Sequence, residues 1–113
     1  MAHEVIIGRT AYAEAEAYAQ FILDQSNDEL ASNKWWNGLL DAIFSLESMP
    51  GRCPVIPERS WSDIKLHQLL YESHRVIFQI GPDTVHVLRV YHASQKPLTR
   101  PALRRAIDRA DPL

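Results

Sequence analysis

The stretch Ile64–Leu98, IKLHQLLYESHRVIFQIGPDTVHVLRVYHASQKPL, decides the fold. In Arg75–Ile80 the apolar residues Val76, Phe78 and Ile80 alternate with Arg75, Ile77 and Gln79, the pattern of a pleated strand with one well-buried face. Arg75 therefore points away from the Val76 side. In Thr84–His92 both alternating sets are largely apolar, as expected of a central strand covered on both faces. A preceding strand is expected over Ile64–Tyr71. Glu72-Ser73 supplies one tight reversal and Gly81-Pro82-Asp83-Thr84 a second, with proline at the second turn position. Three consecutive strands thus end in a polar cluster, and the arginine and two histidines within the last of them need a physical reason.

Upstream, Val5, Ile6 and Ile7 predict a short strand within His3–Arg9. Thr10 is positioned to cap a helix from about Ala11 to Gln25, with Glu14 and Glu16 favoured near its start by the helix dipole. Its buried stripe is Ala11, Ala15, Tyr18 and Ile22. Ser26-Asn27-Asp28-Glu29 fits a capping box that opens a second helix reaching about Met49, with the stripe Ala31, Trp35, Leu39, Ala42, Leu46 and Met49. So short a link makes a helix hairpin able to lie across a sheet. Trp35 and Trp36 diverge on a helix, so one belongs to the core and the other either meets a partner or sits half exposed. Pro50-Gly51 ends the helix, and Pro54 and Pro57 keep the link to Ser62 extended, with Arg52, Glu58 and Arg59 expected to tie it down. A last amphipathic helix is predicted from about Pro101 to Ala110, with Leu103, Ala106 and Ile107 on one side and Arg100, Arg104, Arg105 and Arg109 on the other. It is either an element over the concave sheet face or a solvated terminal helix.

A length of 113 residues suits one domain, 1–113, with a single core. Hydrophobic content of 46% and charged content of 23% are ordinary for a globular protein. No apolar run approaches the roughly 20 residues that span a bilayer, and the N-terminus lacks a signal peptide's charged and apolar regions. Cys53 is the lone cysteine, which fits a reducing cytoplasm. Charge is unevenly placed. Residues 1–50 hold eight acids against Arg9 and Lys34, whereas residues 51–113 hold ten Lys or Arg against six acids. An anionic partner against the later half is one reading and two solvated faces of opposite sign the other. Net acidity argues against nonspecific coating of nucleic acid. The histidines show no paired ligand spacing, and neither a phosphate loop nor a nucleophile elbow is present, so no metal or cofactor is expected.

The run His74-Arg75-Val76-Ile77-Phe78, a Gly-Pro-Asp turn, then Val87-Leu88-Arg89-Val90-Tyr91-His92 resembles the C-terminal sheet of the RelE/ParE superfamily, toxins of type II toxin-antitoxin modules. Met49–Glu58 is similar to that superfamily's proline-rich link, and element order and length match across the chain. The resemblance implies an α+β fold: an N-terminal helix hairpin packed on a four-stranded, mainly antiparallel sheet, followed by a short C-terminal helix. It also implies a growth-arresting toxin, also known as a plasmid stabilisation protein, held by a cognate antitoxin that reaches operator DNA through its own domain.

Two branches make different demands. A RelE-like ribosome-dependent mRNA endoribonuclease needs a base, an acid and a cation on the phosphate, and no metal. The matching places imply Arg75, Tyr91 and His92, with Lys65, His67 and Arg89 in secondary roles. A ParE-like toxin inhibits DNA gyrase by contact alone, and the sparse furnishing of the sheet is closer to that branch. For that reading Trp36, Arg104 and Arg105 are the candidate partner-binding residues. An inactive, antitoxin-binding domain is a third reading. The structural alternatives are an Arg75 anchored by Glu72 or a carbonyl, an Arg89 holding the sheet against a helix carboxylate, and a His86 that is a plain sheet residue.

Overall fold

The computed structural model describes residues 2–56, 65–95 and 99–108. In order, the elements are strand β1 (Glu4–Ile7), helices α1 (Arg9–Ser26) and α2 (Glu29–Phe44), strands β2 (His67–Tyr71), β3 (His74–Ile80) and β4 (Thr84–His92), and helix α3 (Arg100–Asp108). Two short 3-10 turns, Ser45–Glu47 and Pro50–Arg52, follow α2. The sheet order is β1-β4-β3-β2; β1 runs parallel to β4, and the other pairs are antiparallel. This is the expected α+β arrangement, a helix hairpin on a mostly antiparallel sheet. Glu58, Arg59 and the strand start at Ile64 lie outside the described residues, as do Arg109 and Ala110.

Both sheet faces are covered. On one, Val76, Phe78, Val85, Val87 and Val90 pack against Ala11 and Ala15 of α1 and Trp35, Leu39 and Ile43 of α2. On the other, Ile77, Leu88 and Tyr91 meet Ile56, Leu66 and Ile107 of α3. A β-bulge divides β4 between these faces. Phe78 pairs with Val87 and Ile77 with Arg89, so Leu88 is an extra residue. Valines at 85 and 87 face the helices, and the slip then lets Val90 rejoin them opposite Val76. Everything beyond Leu88 is thereby transferred to the face opposite the one that strict alternation assigns.

The hairpin is set by local chemistry. Asn27 adopts a left-handed conformation, φ 52°, and its N–H donates to the Leu23 carbonyl, which stops α1. Asp28 then caps α2, its carboxylate accepting from the N–H groups of Leu30 and Ala31. The expected Ser26 cap is replaced because Ser26 is the last residue of α1 and donates its hydroxyl back to the Ile22 carbonyl. Likewise Gly8, not Thr10, precedes α1, without a side-chain cap. The α2 helix ends at Phe44, short of the expected Met49, and Met49 is 76% exposed at φ 49°. Where α1 and α2 meet, the buried Ser32 donates to the Ala19 carbonyl at 2.7 Å. Gly38 on α2 leaves room for the Tyr71 hydroxyl, which a Cβ there would push aside. That hydroxyl donates to the Trp35 carbonyl and ties β2 to α2.

Candidate functional site

The ends of β3 and β4 gather the chemistry-bearing side chains, because antiparallel register sets His74 against His92 and Arg75 against Tyr91. Cross-strand partners share a face, so the two pairs look in opposite directions. Arg75 and Tyr91 lie on the α3 side, with Ile77 and Gln68. His74 and His92 lie on the helix-hairpin side, in a nest of rings. The His74 ring is 4.2 Å from Tyr18, 5.3 Å from Trp35 and 4.9 Å from His92, all edge-on.

Each candidate has a definite environment. Arg75 is buried, and its Nε donates to Gln68 Oε1 at 2.7 Å. Tyr91 is buried, with the Arg89 guanidinium 5.2 Å over its ring. Arg89 forms a bidentate pair with Glu14 of α1: Nε to Oε1 at 2.8 Å and Nη2 to Oε2 at 2.6 Å. The same carboxylate accepts the Val90 N–H at 3.0 Å. Because β1 pairs only with Thr84–Val87, this stretch of β4 has no strand beside it there, and Glu14 takes the place of one. The Glu14 bond outweighs burial and holds the Arg89 guanidinium above its ordinary pKa.

His92 is half-buried. Its Nδ1 accepts from the Ser94 N–H at 3.0 Å, and its own N–H donates to Gln95 Oε1. His74 is 3% exposed, and its Nδ1 has no hydrogen-bond partner. Burial first, and the neighbouring His92 second, push its pKa down to about 4, against an upward pull from Glu72. His67 is turned inward, stacked on Phe78 with ring centroids 5.7 Å apart and Nδ1 on the Cys53 carbonyl at 2.8 Å. Lys65 is exposed beside a separate shallow depression with Gly51 and Gln79. Trp35 is the core tryptophan; Trp36 is half-buried, edge-on to Tyr12 at 5.4 Å. Arg104 and Arg105 are exposed on α3.

The structure therefore brings Arg75 and Tyr91 together and sends His92 to the other side of the sheet. Sequence reasoning offers His74 only as one of several imidazoles able to exchange protons, and expects a helix carboxylate on Arg89 without singling out Glu14. A buried arginine on a central strand signals that some carboxylate must meet it, but nothing local identifies which one across 75 residues. Among the described residues no three of His, Cys, Asp and Glu are grouped to hold a metal ion, and no helix is long and apolar enough to cross a membrane.

Comparison with known proteins gives a consistent picture. The family model described as ParE toxin of type II toxin-antitoxin system, parDE, matches residues 5–97. A solved structure of the chromosomal ParDE TA system from P. aeruginosa is similar in fold, with a TM-score of 0.68 at 13% identity over 81% of this chain and 97% of that one. None of the curated proteins matches the chain in sequence.

Proposed function

The chain belongs to the ParE toxin family of type II toxin-antitoxin systems, and from that premise we propose that it arrests bacterial growth by binding and inhibiting DNA gyrase, without bond chemistry of its own. The observation that supports contact over catalysis is the division of the candidate site. Metal-free RNA cleavage needs a base within about 3 Å of the proton it takes and a cation on the same phosphate. Here Arg75 and Tyr91 share one face while His92 packs on the other against His74. Arg89, the remaining strand cation, is already neutralised by Glu14.

The family premise also supplies a partner, a cognate antitoxin that restrains the toxin and carries the DNA-binding part acting on their operator. Exposed apolar side chains that would lose water on such contact include Phe21, Leu30, Phe44 and Leu70. The exposed Arg104 and Arg105 on α3 and the half-buried Trp36 are the polar and aromatic candidates for the same contacts.

The test is paired. Purified toxin is added to gyrase, scored for supercoiling, and to translating ribosomes, scored for mRNA cuts. Loss of supercoiling with intact mRNA is expected, and cut mRNA with normal supercoiling would overturn the proposal in favour of a ribosome-dependent endoribonuclease. If Arg75→Ala and His92→Ala, both folded, leave growth arrest in place, the endoribonuclease reading is gone. Unimpaired growth on overproduction of folded protein without a partner would point instead to an inactive antitoxin-binding domain.

A further inference from the structure

Between α1 and the ends of β3 and β4 lies an open hollow of about 370 Å³, walled by Ala17, Tyr18, Phe21, Val90, His74 and His92. Its lining is largely apolar, and Phe21 stands half exposed at the rim. Three polar features are unusual for such a place. First, the His74 ring that lines it is almost wholly buried and leaves Nδ1 without a hydrogen-bond partner, a desolvated polar atom with nothing to offset it. Second, His92 accepts at Nδ1 from the Ser94 N–H, so in the neutral ring the proton sits on Nε2 and that nitrogen is a donor. Third, Glu14, the one carboxylate on the wall among the described residues, is already engaged by Arg89 and the Val90 N–H.

Among the described residues the hollow thus combines apolar surface with two imidazoles and lacks a free acid. We propose that it docks a carboxylate carried on an apolar stem, an acidic residue of a partner polypeptide flanked by a hydrophobic one, and that occupation draws a proton from solvent onto His74. The inference rests on the reading that the chain acts through protein contacts, and it names the chemistry of one such contact. The groups facing His74 are Tyr18 from α1, the Trp35 indole from α2, Tyr71 from β2, Glu72 from the β2–β3 turn and His92 from β4. Glu72 is the one acid among them and leaves His74 neutral at pH 7, since burial and His92 outweigh it. A carboxylate seated in the hollow supplies a counter-charge beside the His74 ring, which raises its pKa. The occupied state then holds one proton more than the empty state between the two pKa values, so affinity rises as pH falls through that window.

The experiment follows the histidine ring signals of the full chain by NMR during titration with phenylpropionate, a carboxylate on an apolar stem, at about pH 5.5 and pH 7.5. Saturable shifts are expected at His74 and His92 and not at His86, with binding about tenfold or more tighter at the lower pH. The neutral phenylpropanamide should show no such dependence. His74→Phe should abolish the pH dependence. Ala17→Leu, on the exposed wall, should block binding while leaving the rest of the spectrum intact. Absence of saturable shifts, equal affinity at the two pH values, or unchanged binding to Ala17→Leu overturns the proposal. Gyrase inhibition measured on the same preparation separates a wrong hollow from a wrong function.

Discussion

The Glu14–Arg89 contact sets a quantitative test of whether the strand cation is structural. Removing the carboxylate as Glu14→Ala strips two charge-assisted bonds from the guanidinium and one bond from the Val90 N–H. The side chains are 17% and 24% exposed, so the pair lies between the surface and the interior. Exposed pairs contribute about 0–1 kcal/mol, whereas breaking a buried pair by removing one partner costs about 3–5 kcal/mol. The geometry here is bidentate and partly dry, which places the expected loss at about 2–3 kcal/mol. Arg89→Met keeps the apolar stem over Tyr91, so it should cost about 1–2 kcal/mol. The double variant leaves neither an orphaned guanidinium nor an orphaned carboxylate, so its loss should fall short of the sum by about 1.5 kcal/mol. Urea unfolding of the four proteins gives this coupling directly, because changes of this size move the midpoint by about 1 M or more. The double variant, once folded, should still arrest growth. A coupling below about 0.5 kcal/mol would refute the assignment of Arg89 to the fold, and loss of growth arrest in a stable double variant would return Arg89 to the target interface.

Three other outcomes are expected. Because His74 is held at about pKa 4 in the folded chain, against 6.5 when free, the unfolded state takes up its proton first on acidification; stability is unaffected above about pH 6.5, falls by at most about 3 kcal/mol between pH 6.5 and 4, and levels off below. His74→Phe should remove that part of the acid sensitivity, as read from the difference between wild-type and variant unfolding free energies across the range. Gly38→Ala should destabilise by about 1–2 kcal/mol despite alanine's better helix propensity, since its Cβ meets the Tyr71 hydroxyl; calorimetry should show the penalty shrink in a Tyr71→Phe background. Met49→Gly relieves a left-handed residue whose side chain is exposed and should stabilise by about 0.5–1 kcal/mol, seen as a rise of a few degrees in Tm.

Local patterning made the three late strands, the helix hairpin and the core role of one tryptophan readable, because each depends on periodicity within one element. What escaped it depends on competition or on distance. Ser26 and Asp28 are both competent caps, and the choice between them is made by Asn27, whose left-handed turn ends α1 one residue later than a capping box at Ser26 allows. The parallel pairing of β1 with β4 joins residues some 80 positions apart in the chain. The bulge did leave a trace: Val85 and Val87 are two residues apart and Val90 follows at three, a phase slip that marks an inserted residue. Read with that slip, Tyr91 and His92 exchange faces relative to simple alternation. The strand candidates Arg75, Tyr91 and His92 do gather at the ends of β3 and β4, but their division between the two faces is not readable until the register is known.

That division bears directly on what this end of the molecule does. A strand end that presents a cation, a phenol and an imidazole together can transfer protons at a phosphate, but the extra residue at Leu88 turns the imidazole inward against Tyr18 and His74. Arg75 and Tyr91 are left on a face shared with α3 and its exposed Arg104 and Arg105. That face carries exposed positive charge at Arg104 and Arg105, with Arg75 and Tyr91 themselves buried, and the His92 imidazole lies across the sheet. The opposite side has imidazoles in an apolar hollow where, among the described residues, the wall carboxylate Glu14 is engaged by Arg89. Among the described residues, then, the His92 imidazole and the Arg75–Tyr91 pair lie on opposite faces of the sheet, and that separation is what the proposed contact function builds on.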